Sequence, residues 1–329
     1  EMRHRVEELV GPEAKSMVVS TFHSACARFL RRDADKIGFT TSFAIYDQGD
    51  SLALVKRVIE EQGLSSKMFK PRTVLTAISN YKNELMSPSD AMRSVANPTD
   101  RTHAEVYGIY QSRLAKSNAM DFDDLISNTV RLLRENPDVS ERFRRRFRHV
   151  LVDEYQDTNV AQYQLVCELV GVGKSDMPMA ELCVVGDADQ SIYAFRGATI
   201  RNIDEFERDF VNAKTILLEQ NYRSTQTILS AANSVISQNR SRREKNLWSD
   251  AGEGDPIRVY VGDNEHDEAS FIANEVERLM KVGEAKPSDI AVFYRANSQT
   301  RALEEVFIRI GMPYKVVGGT RFYERKEIK

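Results

Sequence analysis

Cysteine is nearly absent. The 329 residues hold three, Cys26, Cys167 and Cys183, far apart in the chain. That excludes a disulfide framework and a zinc site built on paired thiolates, and it suits a reducing cytoplasm. No run of about 18 apolar residues occurs, so no segment reads as a membrane-spanning helix. A signal-peptide pattern is missing as well, as are internal repeats and low-complexity tracts. Nor is one sign of charge in excess. Lys and Arg total 46 against 49 Asp and Glu, a formal net charge of −3. This excludes a uniformly basic coat for nucleic acid and leaves room for a local groove.

What the chain does have is 41% hydrophobic and 29% charged residues with a mean hydropathy of −0.45. That is the composition of a water-soluble chain able to bury real cores, in about two domains at roughly 150 residues each. It opens on Glu1 inside a helix-like run, EMRHRVEELVG, and closes on Lys329 inside another, FYERKEIK. Both ends read as cuts, so a piece of a longer protein is expected.

After a short β-branched run at 16–20, the segment TFHS at 21–24 opens a helical stretch to about Arg32. From about 47 to 147 the pattern is almost all helical. Asp47 is a plausible N-cap before Leu52, Val55 and Ile59 on one face. Pro71 opens a helix at about 71–85, and others are predicted at 100–118, 121–135 and 138–148, with no strand signal between. From 149 the grammar alternates. Strands are predicted at 149–153, 182–186, 215–219, 257–261, 289–294 and 313–317. Helices are predicted at 159–170, 200–210, 224–239, 266–281 and 298–310. Such alternation argues for an α/β fold with parallel sheets and places function at the C-terminal ends of the strands.

Three segments carry chemistry. In HVLVDEYQDT at 149–158, a buried strand ends in adjacent acids. Asp153 can hold Mg²⁺ through water, and Glu154 can orient and deprotonate an attacking water. A solvated charged turn is the plainer alternative. In LCVVGDADQSIYAFRGA at 182–198, Gln190 is a neutral amide able to sense a γ-phosphate. Tyr193 and Phe195, two apart, can present one stacking face to bases, or serve as core. In LLEQNYRS at 217–224, Tyr222 can stack on an adenine. Beside it, the planar fork of Arg223 suits phosphate oxygens. A surface pair is the alternative.

In this order the segments resemble the UvrD/PcrA/Rep type of superfamily 1A DNA helicases. Further matches are TFHS at 21–24, DFDDLI at 121–126, YRANSQTRALEE at 294–305 and GGTRFYERKEIK at 318–329. The resemblance implies RecA-like P-loop NTPase sheets with an inserted helical subdomain. Residues 1–32 and 148–214 would form the first RecA-like domain, 33–147 the helical insert, and 215–329 the first part of a second RecA-like domain. It implies ATP and Mg²⁺ as cofactors, with ATP between the two RecA-like domains. Asp153 would be the metal ligand, Glu154 the base, Gln190 and Arg223 the γ-phosphate contacts, and Tyr222 the adenine platform. Thr21, Phe22, His23, Tyr193, Phe195 and Arg196 would contact single-stranded DNA, with Arg295 and Asn297 as weaker candidates. Many members carry Trp at the position of Phe195.

The activity implied is ATP-dependent translocation and unwinding, 3′ to 5′, in repair or replication restart in a bacterial cytoplasm. Single strands and single/double-strand junctions would be the substrates and repair proteins the partners, with no membrane. The helicase portion of a helicase–nuclease and a non-motor DNA- or partner-binding module are the alternatives. Intact Asp153, Glu154, Gln190 and Arg223 speak against the second.

A phosphate cradle of the form GxxxxGK[ST] is missing. Gly173-Lys174-Ser175 imitates its end, but Glu168 stands where the first glycine belongs. A surface turn is expected there, and the 329 residues alone should be inactive as an ATPase. The run RFRRRFR at 142–148 is read as a helix with one apolar stripe and a charged outer face. Asp121, Asp123 and Asp124 suit a helix start rather than a metal site.

Overall fold

The computed structural model describes residues 2–192, 206, 208–239 and 245–317. These fall into two compact units, Glu1–Leu218 with Ile236–Lys245, and Glu219–Val235 with Asn246–Lys329.

In the first unit, α1 (Met2–Val10) and α2 (Phe22–Asp33) precede β1 (Ala44–Ile45). Then come α3 (Gln48–Glu61), α4 (Pro71–Asn83), α5 (Pro88–Arg93) and α6 (Pro98–Lys116). After β2 (Ala119–Met120) follow α7 (Phe122–Glu135), α8 (Pro137–Arg146), β3 (His149–Val152), α9 (Val160–Val170) and β4 (Glu181–Val184). Local chemistry sets most helix starts. Asp47 and Asp50 close a capping box on α3, Asp121 and Asp124 on α7, and Asn159 and Gln162 on α9, each satisfying N–H groups with no partner inside the helix. Proline occupies the first turn of α4, α5, α6 and α8, where its missing N–H costs nothing.

Three apolar clusters hold this unit together. Cys26, Phe29 and Leu30 of α2 pack with Leu125, Leu132 and Leu133 of α7 and Phe143 of α8. Val55 and Ile59 of α3 meet Val74 and Ile78 of α4 and Tyr107, Tyr110 and Leu114 of α6. Val152 of β3 joins Tyr163, Val166 and Val170 of α9, with Phe206 and Phe210 against them. Each fully buried large side chain contributes about 1.5–3 kcal/mol.

In the second unit, α10 (Gln226–Ile236), all but its last residue, is followed by α11 (Glu265–Lys281) and α12 (Thr300–Arg309). Ala269 and Ala273 of α11 pack on Ala302, Val306 and Phe307 of α12.

Several strand expectations need correction. β3 and β4 form a parallel pair in the register Val152↔Val184, and among the described residues their sheet has these two strands alone. His149 and Leu151, on one face of β3, are exposed, Leu151 at 77% rather than buried. The runs at 215–219, 257–261, 289–294 and 313–317 carry no strand among the described residues. A strand needs a neighbour to take its N–H and C=O groups. Here Leu218, Val259, Val261 and Phe293 face solvent, and among the described residues an isolated bridge joins Gln220 to Trp248. Conversely, the stretch expected to be wholly helical contains a parallel pair, Ala44–Ile45 with Ala119–Met120, too short for any alternation to show. The helix expected at 200–210 lies largely outside the described residues.

Candidate functional site

The parallel pairing of β3 and β4 sets two loops side by side. Val185 donates its N–H to Val152 O at 2.8 Å, and Tyr155 donates its N–H to Val185 O at 2.9 Å. Asp153 and Glu154 therefore stand at the C-terminal end of β3, next to the loop Gly186–Gln190. Glu154 has φ 52° and ψ 42°, a left-handed conformation uncommon outside glycine. Strain of this kind, of order 1–3 kcal/mol, persists where the surroundings impose it. Glu154 donates its N–H to Asp153 Oδ1 at 3.0 Å, and both side chains are exposed.

The amide that touches Glu154 is Gln156. Gln156 is 2% exposed. Its Nε2 donates to Glu154 Oε2 at 2.8 Å, and its Oε1 accepts the Asp187 N–H at 3.0 Å. One buried side chain thus joins the two loops. Sequence reading missed it; the available signal was a polar residue two positions past an acid pair at a strand end. Gln190 stands on the adjoining loop and donates its Nε2 to Asp187 Oδ2 at 2.7 Å. Burial tends to raise the Asp187 pKa, but bonds from Lys245 and Gln190 outweigh it and hold the carboxyl below its usual range. At Asp157, burial and then the Glu154 charge push the carboxyl up.

Tyr222 and Arg223 belong to the second unit. Asn221 Oδ1 accepts the N–H groups of Arg223 at 2.9 Å and Ser224 at 2.8 Å, an Asx turn that presents the intervening side chains. Tyr222 is 85% exposed, its hydroxyl donating to Gln220 at 2.9 Å. An exposed ring beside an exposed guanidinium can stack on a planar base and grip an anion.

A profile of the UvrD/REP helicase N-terminal domain matches residues 1–211, and one of the UvrD-like helicase C-terminal domain matches residues 216–329. The chain belongs to the UvrD-like helicase family. It is 59% identical to "ATP-dependent DNA helicase UvrD1" of Mycobacterium tuberculosis over 100% of this chain and 43% of that protein. To "ATP-dependent DNA helicase PcrA" of Bacillus subtilis it is 48% identical over 100% of this chain and 44% of that protein. It is also 48% identical to the PcrA of Staphylococcus aureus, again over 44% of that protein. The chain thus spans less than half the length of these relatives.

Other positions matching the family's motifs are placed as follows. Thr21 caps α2, its Oγ1 accepting the Ser24 N–H at 3.4 Å. Phe22 packs against two of the cores. The His23 ring lies 5.6 Å from Phe122, and burial lowers its pKa. Phe122, 53% exposed at the start of α7, adds an aromatic that the sequence reading passed over. Gln299 Oε1 accepts the N–H groups of Arg295 at 2.9 Å and Ala296 at 2.8 Å, and Asn297 O accepts the Thr300 hydroxyl at 2.9 Å. This places Arg295 and Asn297 at the start of α12. Tyr193, Phe195 and Arg196 lie outside the described residues.

The decoys resolve structurally. Gly173 is a left-handed turn residue with φ 69°, and Lys174 pairs with Glu168 at 3.5 Å. Arg142 pairs with Asp33, Arg144 grips Asp176 bidentately at 2.6 Å, and Arg148 donates to the carbonyls of Pro178 and Met179. Among the described residues no group of three or more His, Cys, Asp or Glu side chains is gathered as a metal site. A Mg²⁺ held by one carboxylate and phosphate oxygens needs no such cage. The exposed Asp153 at the strand end fits that lighter demand.

Proposed function

We propose that the chain carries part of the motor of an ATP-dependent DNA helicase, a single-strand translocase moving 3′ to 5′ in DNA repair or replication restart. The observation that carries the reading is Glu154, held in a left-handed turn at a strand end and joined by Gln156 to the loop of Gln190, in a chain of the UvrD-like family. In this reading residues 1–32 and 148–214 belong to one RecA-like domain, 33–147 to its helical insert and 215–329 to a second. The cytoplasm is its compartment.

Bound Mg²⁺ would neutralise charge on the phosphate oxygens. Asp153 would hold the ion. Glu154 would accept the proton of the attacking water on Oε1, with the Gln156 amide holding Oε2 and so the carboxylate's orientation. Gln190 of the first unit would sense the γ-phosphate; of the second unit's residues, Arg223 would serve phosphate and Tyr222 adenine. Thr21, Phe22, His23, Tyr193, Phe195 and Arg196 bind the strand, with Arg295 and Asn297 at its margin. Stacked bases at about 1–3 kcal/mol each let single-stranded DNA be held without a basic coat.

The test is Glu154→Gln in the full-length protein. The charge that accepts the proton is lost and the shape is kept. DNA-stimulated phosphate release should fall by about 10²-fold or more, while a fluorescent ATP analogue binds as before. Hydrolysis near the unsubstituted rate removes Glu154 from the base role.

A further inference from the structure

Lys245 is the last residue of the first unit before the chain passes to Asn246 of the second. In the sequence it ends a run of charged residues, SRREK at 241–245. Its side chain is instead only 18% exposed. The ammonium donates to Asp187 Oδ1 and lies 3.1 Å from Asp189 Oδ2.

Asp187 is therefore gripped from two sides. Oδ1 takes Lys245 and the Asp189 N–H at 3.0 Å, and Oδ2 takes the Gln190 amide at 2.7 Å. The same residue's N–H is held by Gln156, which also holds Glu154. A carboxylate with one oxygen on a lysine and the other on an amide fixes the direction of that amide.

We propose that Lys245 is a positioning residue for the loop that carries Gln190. It acts through Asp187 and governs the hydrolysis rate without touching nucleotide. The inference rests on the proposed ATPase reading. Three features favour it over a surface ion pair. The lysine is largely removed from solvent, it meets two carboxylates rather than one, and one of them directly orients a candidate γ-phosphate sensor. Its place at the crossing between units also means that a residue distant in sequence braces the turnover loop.

The experiment uses the full-length protein with single-stranded DNA and measures kcat and KM for ATP. The variants are Lys245→Met, Lys245→Arg, Asp187→Asn and the Lys245→Met/Asp187→Asn pair. Lys245→Met should lower kcat by about 10- to 100-fold, the usual consequence of removing a residue that orients an active group. KM should stay within about twofold. Lys245→Arg should recover most of the rate, because it keeps a cation facing Asp187. The double variant should be no slower than Asp187→Asn alone, since both break one strut. Unaltered kcat in Lys245→Met overturns the proposal, and so do additive losses in the double variant. A fall in Lys245→Met that appears only as lost melting temperature, with Asp187→Asn turning over normally, overturns it too. Absence of DNA-stimulated hydrolysis in the unsubstituted protein overturns the proposed function and Lys245's role with it. A silent Lys245→Met in an active enzyme counts against Lys245 alone.

Discussion

At the scale of single residues, the site depends on close approach of two backbones. Gly186 is the first residue of the β4 loop, and a Cβ placed there would lie 2.7 Å from Gln156 Oε1 and 3.2 Å from the backbone nitrogens of Tyr155 and Gln156. The side-chain oxygen can swing aside, but the two nitrogens belong to the turn that holds Glu154. Gly186→Ala should therefore push the loops apart. The expected cost is about 1–3 kcal/mol of stability, the range for overpacking, read by urea denaturation. Loss of the Gln156–Asp187 bond should accompany it, visible as faster exchange of the Asp187 amide proton. The acids Asp153 and Glu154 were legible in sequence because two carboxylates directly after an apolar run mark the point where a strand leaves the core. Gln156 was not, because a buried amide is recognised only once both of its partners are in place.

Among the elements, α4 and α7 are joined by charge as well as by apolar packing. Lys82 is 2% exposed on α4 and pairs with Asp121 at 2.6 Å and Asp124 at 2.9 Å, at the start of α7. The Tyr110 hydroxyl donates to Asp121 at 2.8 Å. Burial works against the ammonium, yet Asp124 and Asp121 outweigh it and hold the Lys82 pKa above its ordinary range. Removing one partner strands buried charge, so Lys82→Met should cost about 3–5 kcal/mol, measured by chemical denaturation. The neighbouring Asp123 behaves oppositely. Burial, then the Asp121 charge, pushes its carboxyl up to about 6 from an ordinary value of 3.8. A carboxyl raised on folding holds its proton more tightly in the folded chain. Its contribution to stability is full below the ordinary value and is lost as pH rises through about 6. Asp123→Asn should therefore gain on the unsubstituted chain between pH 4 and 7, by up to about 3 kcal/mol at the upper end, and flatten that part of the stability–pH curve.

The same elements show why helices were easier to read than strands. Asp47 before α3, Asp121 before α7 and Pro71 opening α4 are local signals, each satisfied within one turn of its own helix. The run at 257–261 has a good strand composition, but an N–H on Val259 has to meet a carbonyl from elsewhere, and no ladder forms there among the described residues. At Ala44–Ile45 and Ala119–Met120 the opposite holds. Pairing comes from chain geometry around Asn118, which is left-handed with φ 47° and whose carboxamide accepts the Thr40 N–H at 2.8 Å. Nothing in a two-residue run of either segment announces it.

For the whole molecule the decisive feature is the distribution of chemistry along 329 residues. The near-neutral balance of −3 is matched by arginines spent on internal partners, such as Arg144 on Asp176 and Arg142 on Asp33. The lysine that could imitate a phosphate cradle, Lys174, is paired with Glu168 beside a left-handed Gly173. The sequence contains no GxxxxGK[ST] run, so it has no succession of backbone N–H groups to cradle β- and γ-phosphates. It does carry the metal-binding acid, the base and the γ-phosphate amide of the proposed reaction. Positioning and charge neutralisation supply most of phosphoryl-transfer catalysis, and a single arginine finger is worth about 10³–10⁵ in rate. The isolated 329-residue chain should therefore release phosphate at least about 10³-fold more slowly than the full-length protein, with or without single-stranded DNA. A phosphate-release assay on both proteins checks this. DNA affinity measured on the same preparation by fluorescence anisotropy separates missing chemistry from a chain that has failed to fold. Retained DNA binding with negligible turnover is the expected pair of results. DNA-stimulated turnover by the 329 residues alone would mean that Asp153, Glu154 and Gln190 work without a phosphate loop, and the division of roles proposed for this site would have to be abandoned.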